Sequence, residues 1–215
     1  MTSFQCYKML KQIAFLAMLC IMAGCATTQT SDNYANKDTL EPANRVFFDV
    51  NETLDQALIK PIAEVYVDVA PNFIRTGITN FFNNLAYLNV ILNDLLQGKL
   101  NQGVSDIARF VTNSTIGIGG LFDVATSMGL EEHDEDFGQT LAVWGVDEGS
   151  YLYLPFFGPN SVRDSTDFVP STLLNPFYYI SSAILFPVTA VKAVNKRANL
   201  LEASNIRDEA AVDPY

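Results

Sequence analysis

Glu135-Asp-Phe-Gly-Gln-Thr-Leu-Ala-Val-Trp144-Gly-Val-Asp-Glu-Gly-Ser-Tyr151-Leu-Tyr-Leu-Pro-Phe-Phe157-Gly-Pro-Asn-Ser-Val-Arg-Asp164 holds the chain's single tryptophan and four of its 12 glycines. From Tyr151 to Phe157 the stretch is almost wholly apolar. No surface-helix period fits these residues, and Pro155 excludes a central strand. Such a segment is either a loop buried in a core or a surface turned toward something other than water. Tyrosine and tryptophan join a large apolar body to a polar tip, which suits an apolar–wet boundary. Trp144, Tyr151, Leu152, Leu154, Phe156 and Phe157 are therefore candidate lipid or membrane contacts.

The beginning of the chain narrows the choice. Lys8 and Lys11 precede an apolar run, Ile13 to Met22, followed by Ala23-Gly24-Cys25. A charged start, a short apolar core and small residues before a cleavage point make a secretory signal over residues 1–24, too short to span a bilayer. Cysteine directly after Ala-Gly has the form of a bacterial lipobox, with Met22 where leucine is usual. Cys6 and Cys20 leave with the signal, so Cys25 is the sole cysteine of the mature chain. With no partner for a disulfide, its expected job is acylation. Each buried methylene contributes about 0.8 kcal/mol, so several acyl chains hold a protein on a membrane. Ala26, rather than aspartate, follows the cysteine, as in lipoproteins sent to the outer membrane. Residues 25–37, rich in Thr, Ser and Asn, read as a lipidated flexible tether.

The formal charge of the 215 residues is −11, and it becomes −13 once the signal takes away two lysines and no acid. Nucleic-acid binding, which needs a basic face, is excluded. Hydrophobic residues nevertheless make up 49% and charged ones only 17%, below the ~25% of soluble domains. The charge is thus confined to part of the surface.

Glu41-Pro42 opens a helix, with Ala43, Val46, Phe47, Val50, Leu54 and Leu58 on one face and Asn44, Arg45, Asp49, Glu52 and Asp55 on the other. Pro61 and Pro71 bracket a shorter helix, Ile62 to Val69. Between Asn72 and Leu130 only six residues are charged. Three apolar stripes follow, Phe73 to Leu85, Leu88 to Leu96 and Val104 to Val111, and predict three helices. The polar faces of the first two are Asn and Thr, which suit a site half in protein or lipid, where full charges are expensive. Three core-packed helices are the alternative. Gly117, Gly119 and Gly120 lie in a segment that follows a helix and has no lysine, so it is not a phosphate loop. These glycines are expected to form a hinge or to allow close packing, and Asn80, Phe81, Leu121 and Phe122 beside them are candidates for a lipid path. The acids around His133, from Glu131 to Asp136, lack the alternating spacing of a calcium loop and read as a solvated acidic loop, with no metal expected. Phe168 to Val191 carries no charge, but Pro170, Pro176 and Pro187 argue for broken helices in one leaflet rather than a spanning helix. No Gly-x-Ser-x-Gly elbow or free mature cysteine is present, and the sole histidine sits among acids, so an enzyme is not expected.

The order of these residues resembles the MlaA (VacJ) family of outer-membrane lipoproteins. It is carried by Glu135 to Leu141, Gly145-Val146, Tyr151-Leu152-Tyr153-Leu154-Pro155, Gly158-Pro159 and Arg163-Asp164. Glu41 to Arg45, Leu54-Asp55, Lys60-Pro61, Asn80-Phe81, Leu96-Gln97-Gly98 and Arg109-Phe110 add to it. The usual Gly-Pro-Tyr is Gly149-Ser150-Tyr151 here, and Leu88 replaces a proline, which softens the bend expected between the first two stripes. The resemblance implies a mainly α fold with little or no β-sheet. Residues 38–215 would be a single domain of amphipathic and broken helices, forming a ring in the inner leaflet of the outer membrane, at its periplasmic face. It implies an amphipathic channel, association with a trimeric porin, and removal of misplaced phospholipid from the outer leaflet to a soluble MlaC-like periplasmic carrier. No cofactor is implied beyond acyl chains on Cys25, and phospholipid is the transported ligand. A structural or porin-associated lipoprotein without transport is the alternative. Family members continue beyond Asp213-Pro214-Tyr215 into another helix, so this C-terminus reads as short or truncated.

Overall fold

Pro42 sits in the first turn of α1, Glu41–Leu54, where its missing N–H costs no hydrogen bond. The helix does not stop at Pro61. A single π turn, Asp55–Ile59, carries it into α2, Lys60–Val69, and the Lys60 N–H donates to Asp55 O. One extra residue in the turn accommodates the proline, so the separate short helix expected from the sequence is instead a continuation of α1. Pro71, with extended backbone, ends α2 and precedes α3. The computed structural model describes residues 40–211 and 215. The signal, Cys25 and the tether lie outside the described residues.

α3 runs unbroken over 25 residues, Asn72–Leu96, so two of the three expected helices are one. With leucine at 88 every N–H needed by the helical ladder is present, and nothing bends it. Gly98, at φ 77°, turns the chain into α4, Leu100–Thr115, which folds back along α3. Asn84 Nδ2 reaches Ser114 Oγ at 2.8 Å across this pair. After a glycine loop come α5, Val124–Ser127, and α6, Phe137–Val143. The Asp136 side chain caps α6 by accepting from the Gln139 N–H at 2.7 Å.

The apolar stretch is a β-hairpin, which corrects the irregular segment expected from Pro155. β1, Tyr151–Leu154, pairs antiparallel with β2, Gly158–Ser161, with Tyr151 opposite Ser161 and Leu154 opposite Gly158. Pro155 stands just after the strand, in a turn completed by Phe156 at φ 68° and Phe157, where a missing donor is tolerated. This two-stranded sheet is the only one among the described residues. The uncharged segment is broken into α7, Phe168–Leu174, a 3-10 turn, Pro176–Tyr179, and α8, Ser182–Asn199, but only Pro176 stands at a break; Pro170 lies in the first turn of α7 and Pro187 inside α8 without interrupting it. α9, Leu201–Ala210, follows. No helix among the described residues is long and apolar enough to cross a membrane.

The helices turn their apolar faces outward. On α1 and the π turn after it, Phe47, Val50, Leu54 and Leu58 are exposed, whereas Asn44 is 2% exposed. On α4, Leu100, Val104, Ile107 and Val111 are exposed, while Asp106, Arg109 and Asn113 are buried. Six hydrophobic side chains are buried among the described residues against eleven polar or charged ones, the reverse of a water-soluble core. Three core-packed helices are thereby excluded. The apolar stripes of α1 and α4 face outward, while Asn44, Asn84, Asn93, Asn113 and Asn195 are buried.

Candidate functional site

α3 carries two environments on roughly opposite faces. Ile78, Phe81 and Phe82 form one wall of an apolar cleft of about 360 Å³; Leu121, Phe177, Pro187, Val188 and Val191 close it. About half a turn around the helix, Asn80, Asn83, Asn84 and Tyr87 line a polar pocket of about 20 Å³, completed by Arg109, Asn113, Asp123 and Glu132. Asn80 joins the two: its Nδ2 donates to Leu121 O at 3.3 Å, and the Leu121 side chain lies in the cleft. The cleft offers an acyl chain an apolar wall, whereas the polar pocket has room for about one water.

The glycine loop covers this junction. Ile118, Gly119 and Gly120 are three consecutive residues with positive φ, at 54°, 69° and 91°. A Cβ on Gly117 would strike the carbonyl oxygens of Phe122 and Asn113, and one on Gly120 would lie 2.6 Å from Asn84 Cβ. These two glycines serve close approach, whereas a Cβ on Gly119 meets nothing within 4 Å. Buried Arg109 ties the loop's far side down. It donates to Thr126 Oγ1 at 2.9 Å, Leu130 O at 2.7 Å and Asp123 Oδ2 at 2.8 Å. Burial would raise Asp123, but hydrogen bonds from Thr126, Asn113 and Arg109 hold its carboxyl below the usual range.

The acidic segment is docked rather than free in solvent, which corrects the solvated loop. Glu131, Glu132 and Asp134 are exposed, but His133 is half-buried and Glu135 is buried. The His133 N–H donates to Tyr87 Oη at 2.8 Å, and its Nδ1 lies 2.9 Å from Asp106 Oδ1. Glu135 accepts from Lys99 Nζ at 2.6 Å and from Gln97 and Gln102, each at 2.9 Å. These donors outweigh burial and lower its pKa. Desolvation lifts the Tyr87 phenol to about 12. Among the described residues no group of three or more His, Cys, Asp or Glu side chains can hold a metal ion.

The hairpin forms a second region. Asn44 Nδ2 donates to Tyr151 O at 3.1 Å while its Oδ1 accepts from the Tyr153 N–H at 2.9 Å. Asn51 repeats the pattern on Leu154 O and the Phe156 N–H, both at 2.9 Å. Seven residues of helix and three of strand each span about 10 Å, so two asparagines on one face of α1 stand in for a neighbouring strand. Phe48 packs edge-on against Tyr153 and Tyr215, with ring centres at 5.4 and 5.8 Å. Phe156 and Phe157, at the tip, are 81% and 65% exposed. Trp144, half exposed, donates from Nε1 to Leu96 O at 3.2 Å, at the end of α3.

The expected site residues therefore fall into two groups. Phe81 and Leu121 line the cleft and Asn80 the polar pocket, while Gly117, Gly119, Gly120 and the exposed Phe122 lie on the loop that carries Leu121. Tyr151, Leu152, Leu154, Phe156 and Phe157 belong to the hairpin, and Trp144 lies apart from both. Cys25 is outside the described residues. Sequence reasoning missed the rest of the cleft: Ile78 and Phe82, read only as part of an apolar stripe, and Phe177, Pro187, Val188 and Val191, whose only signal was the absence of charge from Phe168 to Val191.

A family model described as MlaA lipoprotein matches residues 36–215. The "Intermembrane phospholipid transport system lipoprotein MlaA" of Escherichia coli (strain K12) is 33% identical over 205 residues, covering 91% of this chain and 78% of that one. Its counterpart of the same name in Haemophilus influenzae is 30% identical over 201 residues, covering 90% and 80%. An uncharacterized protein of Rickettsia bellii is 36% identical over 180 residues, covering 83% and 71%. A solved structure described as "Structural basis for maintenance of bacterial outer membrane lipid asymmetry" superposes with a TM-score of 0.73 at 32% identity, covering 84% of this chain and 92% of that one. With inward asparagines, an apolar coat and a two-faced α3 behind these matches, the chain belongs to the MlaA lipoprotein family.

Proposed function

We propose that this protein moves phospholipid out of the outer leaflet of the outer membrane and so maintains its lipid asymmetry. The observation that carries the reading is the inverted burial, apolar stripes outside and polar side chains inside, together with an apolar cleft of about 360 Å³. Tails need an apolar wall, and the cleft between α3 and α8 offers one. No covalent step is required. The outward apolar stripes of α1 and α4 suit acyl chains, so the helices lie as a ring in the inner leaflet at the periplasmic face, anchored through acylated Cys25. The lipid passes to a soluble periplasmic carrier of the MlaC kind, and a trimeric porin holds the ring in place. The loop at Gly117, Gly119 and Gly120 gates the junction between cleft and polar pocket.

The test is the lipid that stays with the protein. Full-length protein extracted in mild detergent should retain phospholipid measurable by mass spectrometry. Phe81→Asp and Val188→Asp should each reduce it about fivefold or more, since a charge in an apolar site is costly, with helicity unchanged. Undiminished phospholipid in both folded variants would overturn the assignment.

A further inference from the structure

The described residues include ten lysines and arginines in a strongly acidic chain. Seven of them have a carboxylate within ion-pair distance. Arg75, Lys192 and Lys196 form no such pair among the described residues, and all three stand on α3 and α8, the helices that supply most of the cleft wall. Their neighbours place them around one crossing. Tyr66 Oη donates to Asn195 Oδ1 at 2.9 Å, and Asn195 Nδ2 donates to Thr79 Oγ1 at 2.7 Å, so α2, α3 and α8 meet at Asn195. Lys192 and Lys196 flank Asn195 on α8, four residues apart and so on one face. Arg75 lies one turn before Thr79, near enough to Tyr66 to oppose the upward push that burial gives its phenol. Its Nε is buried without an acceptor. Lys192 Nζ is 5.9 Å from the centre of the Phe82 ring, a wall of the cleft.

We propose that Arg75, Lys192 and Lys196 form an anion subsite at the edge of the apolar cleft, which makes the protein select phospholipids of net negative head group over zwitterionic ones. This rests on the cleft as the lipid site. A phosphodiester satisfies the guanidinium and ammonium donors in either lipid. In phosphatidylethanolamine the head group's own ammonium is brought against cations that no carboxylate offsets, a repulsion absent in phosphatidylglycerol.

Full-length protein in nonionic detergent is titrated with phosphatidylglycerol and with phosphatidylethanolamine of identical chains, and bound lipid is read by native mass spectrometry. The native protein should prefer phosphatidylglycerol about tenfold, the scale of one charge-assisted contact. K192Q/K196Q should bring the ratio near one with affinity for phosphatidylethanolamine kept, and K192R/K196R should preserve the preference. Equal affinities in the native protein would overturn the proposal while leaving the lipid site intact. A preference unchanged in K192Q/K196Q, with only attachment to anionic vesicles weakened, would also overturn it, because the lysines would then only seat the protein on the bilayer. Binding of neither lipid would instead overturn the proposed function itself.

Discussion

Asp94 and Asp106 are both fully buried, on α3 and α4, and Asp106 disfavours the ionised form of Asp94. Each keeps one oxygen, Oδ2, with no hydrogen-bond partner among the described residues, and a proton on Asp94 lowers the charge buried there. Around the pair stand Gln102, donating to Asp94 Oδ1 at 2.8 Å, then His133 beside Asp106, and Glu135 with its partner Lys99. Burial first, then Asp106 and the charge of Glu135, lift Asp94 to about 7. The unfolded chain releases this proton near pH 4, roughly the ordinary aspartate value. The folded protein therefore binds more protons in between, and this contribution is complete below about pH 4 and lost as pH rises through about 7. Asp94→Asn keeps the shape and donates an N–H where the proton was. The thermal midpoint of the native protein should fall by about 5 °C more than that of D94N between pH 5 and pH 8. Parallel pH profiles would show that no proton is held there.

At the scale of elements, the glycine loop separates close packing from motion. Gly120→Val puts a branched side chain at φ 91° against Asn84 and should cost about 3 kcal/mol or more, seen as low steady-state protein. Gly119→Val is strained at φ 69° yet meets open space, so the protein should accumulate normally while the loop stiffens. If cells carrying G119V at normal levels resist detergent plus chelator as well as the wild type, the loop is not a gate. The Asn and Thr faces of α3, the broken segment after Phe168 and the Gly-rich loop were legible because helical period, proline and glycine act locally. Other features were not. Period tells which residues share a face but not which medium that face meets, so the outward turn of Val104 and the burial of Asp106 needed the structure. Pro155 excluded a strand interior but not a strand end followed by a turn. Asn44 and Asn51 reach the hairpin across more than 100 residues, a pairing that no local pattern announces.

For the whole molecule, the question is what the apolar coat touches, and the hairpin tip tests it most directly. Leu152 and Leu154 are half-buried in a strand clipped to α1, whereas Phe156 and Phe157 project beyond it. In water those two rings would be a liability near the limit that a monomer tolerates. Against acyl chains each stabilises seating by about 1.5–3 kcal/mol. Aspartate at the four positions should then divide. At Leu152 and Leu154 it meets the strand's packing and lowers helicity as well as retention. At Phe156 and Phe157 it leaves helicity intact and loosens the protein from the bilayer. The readout is circular dichroism in detergent beside membrane retention of a Cys25→Ser form, in which the acyl anchor no longer masks the difference. If retention is unchanged with aspartate at Phe156 and at Phe157, the tip does not face lipid. If every one of the four substitutions unfolds the protein, the hairpin is a core element and its exposed rings are covered by something other than acyl chains.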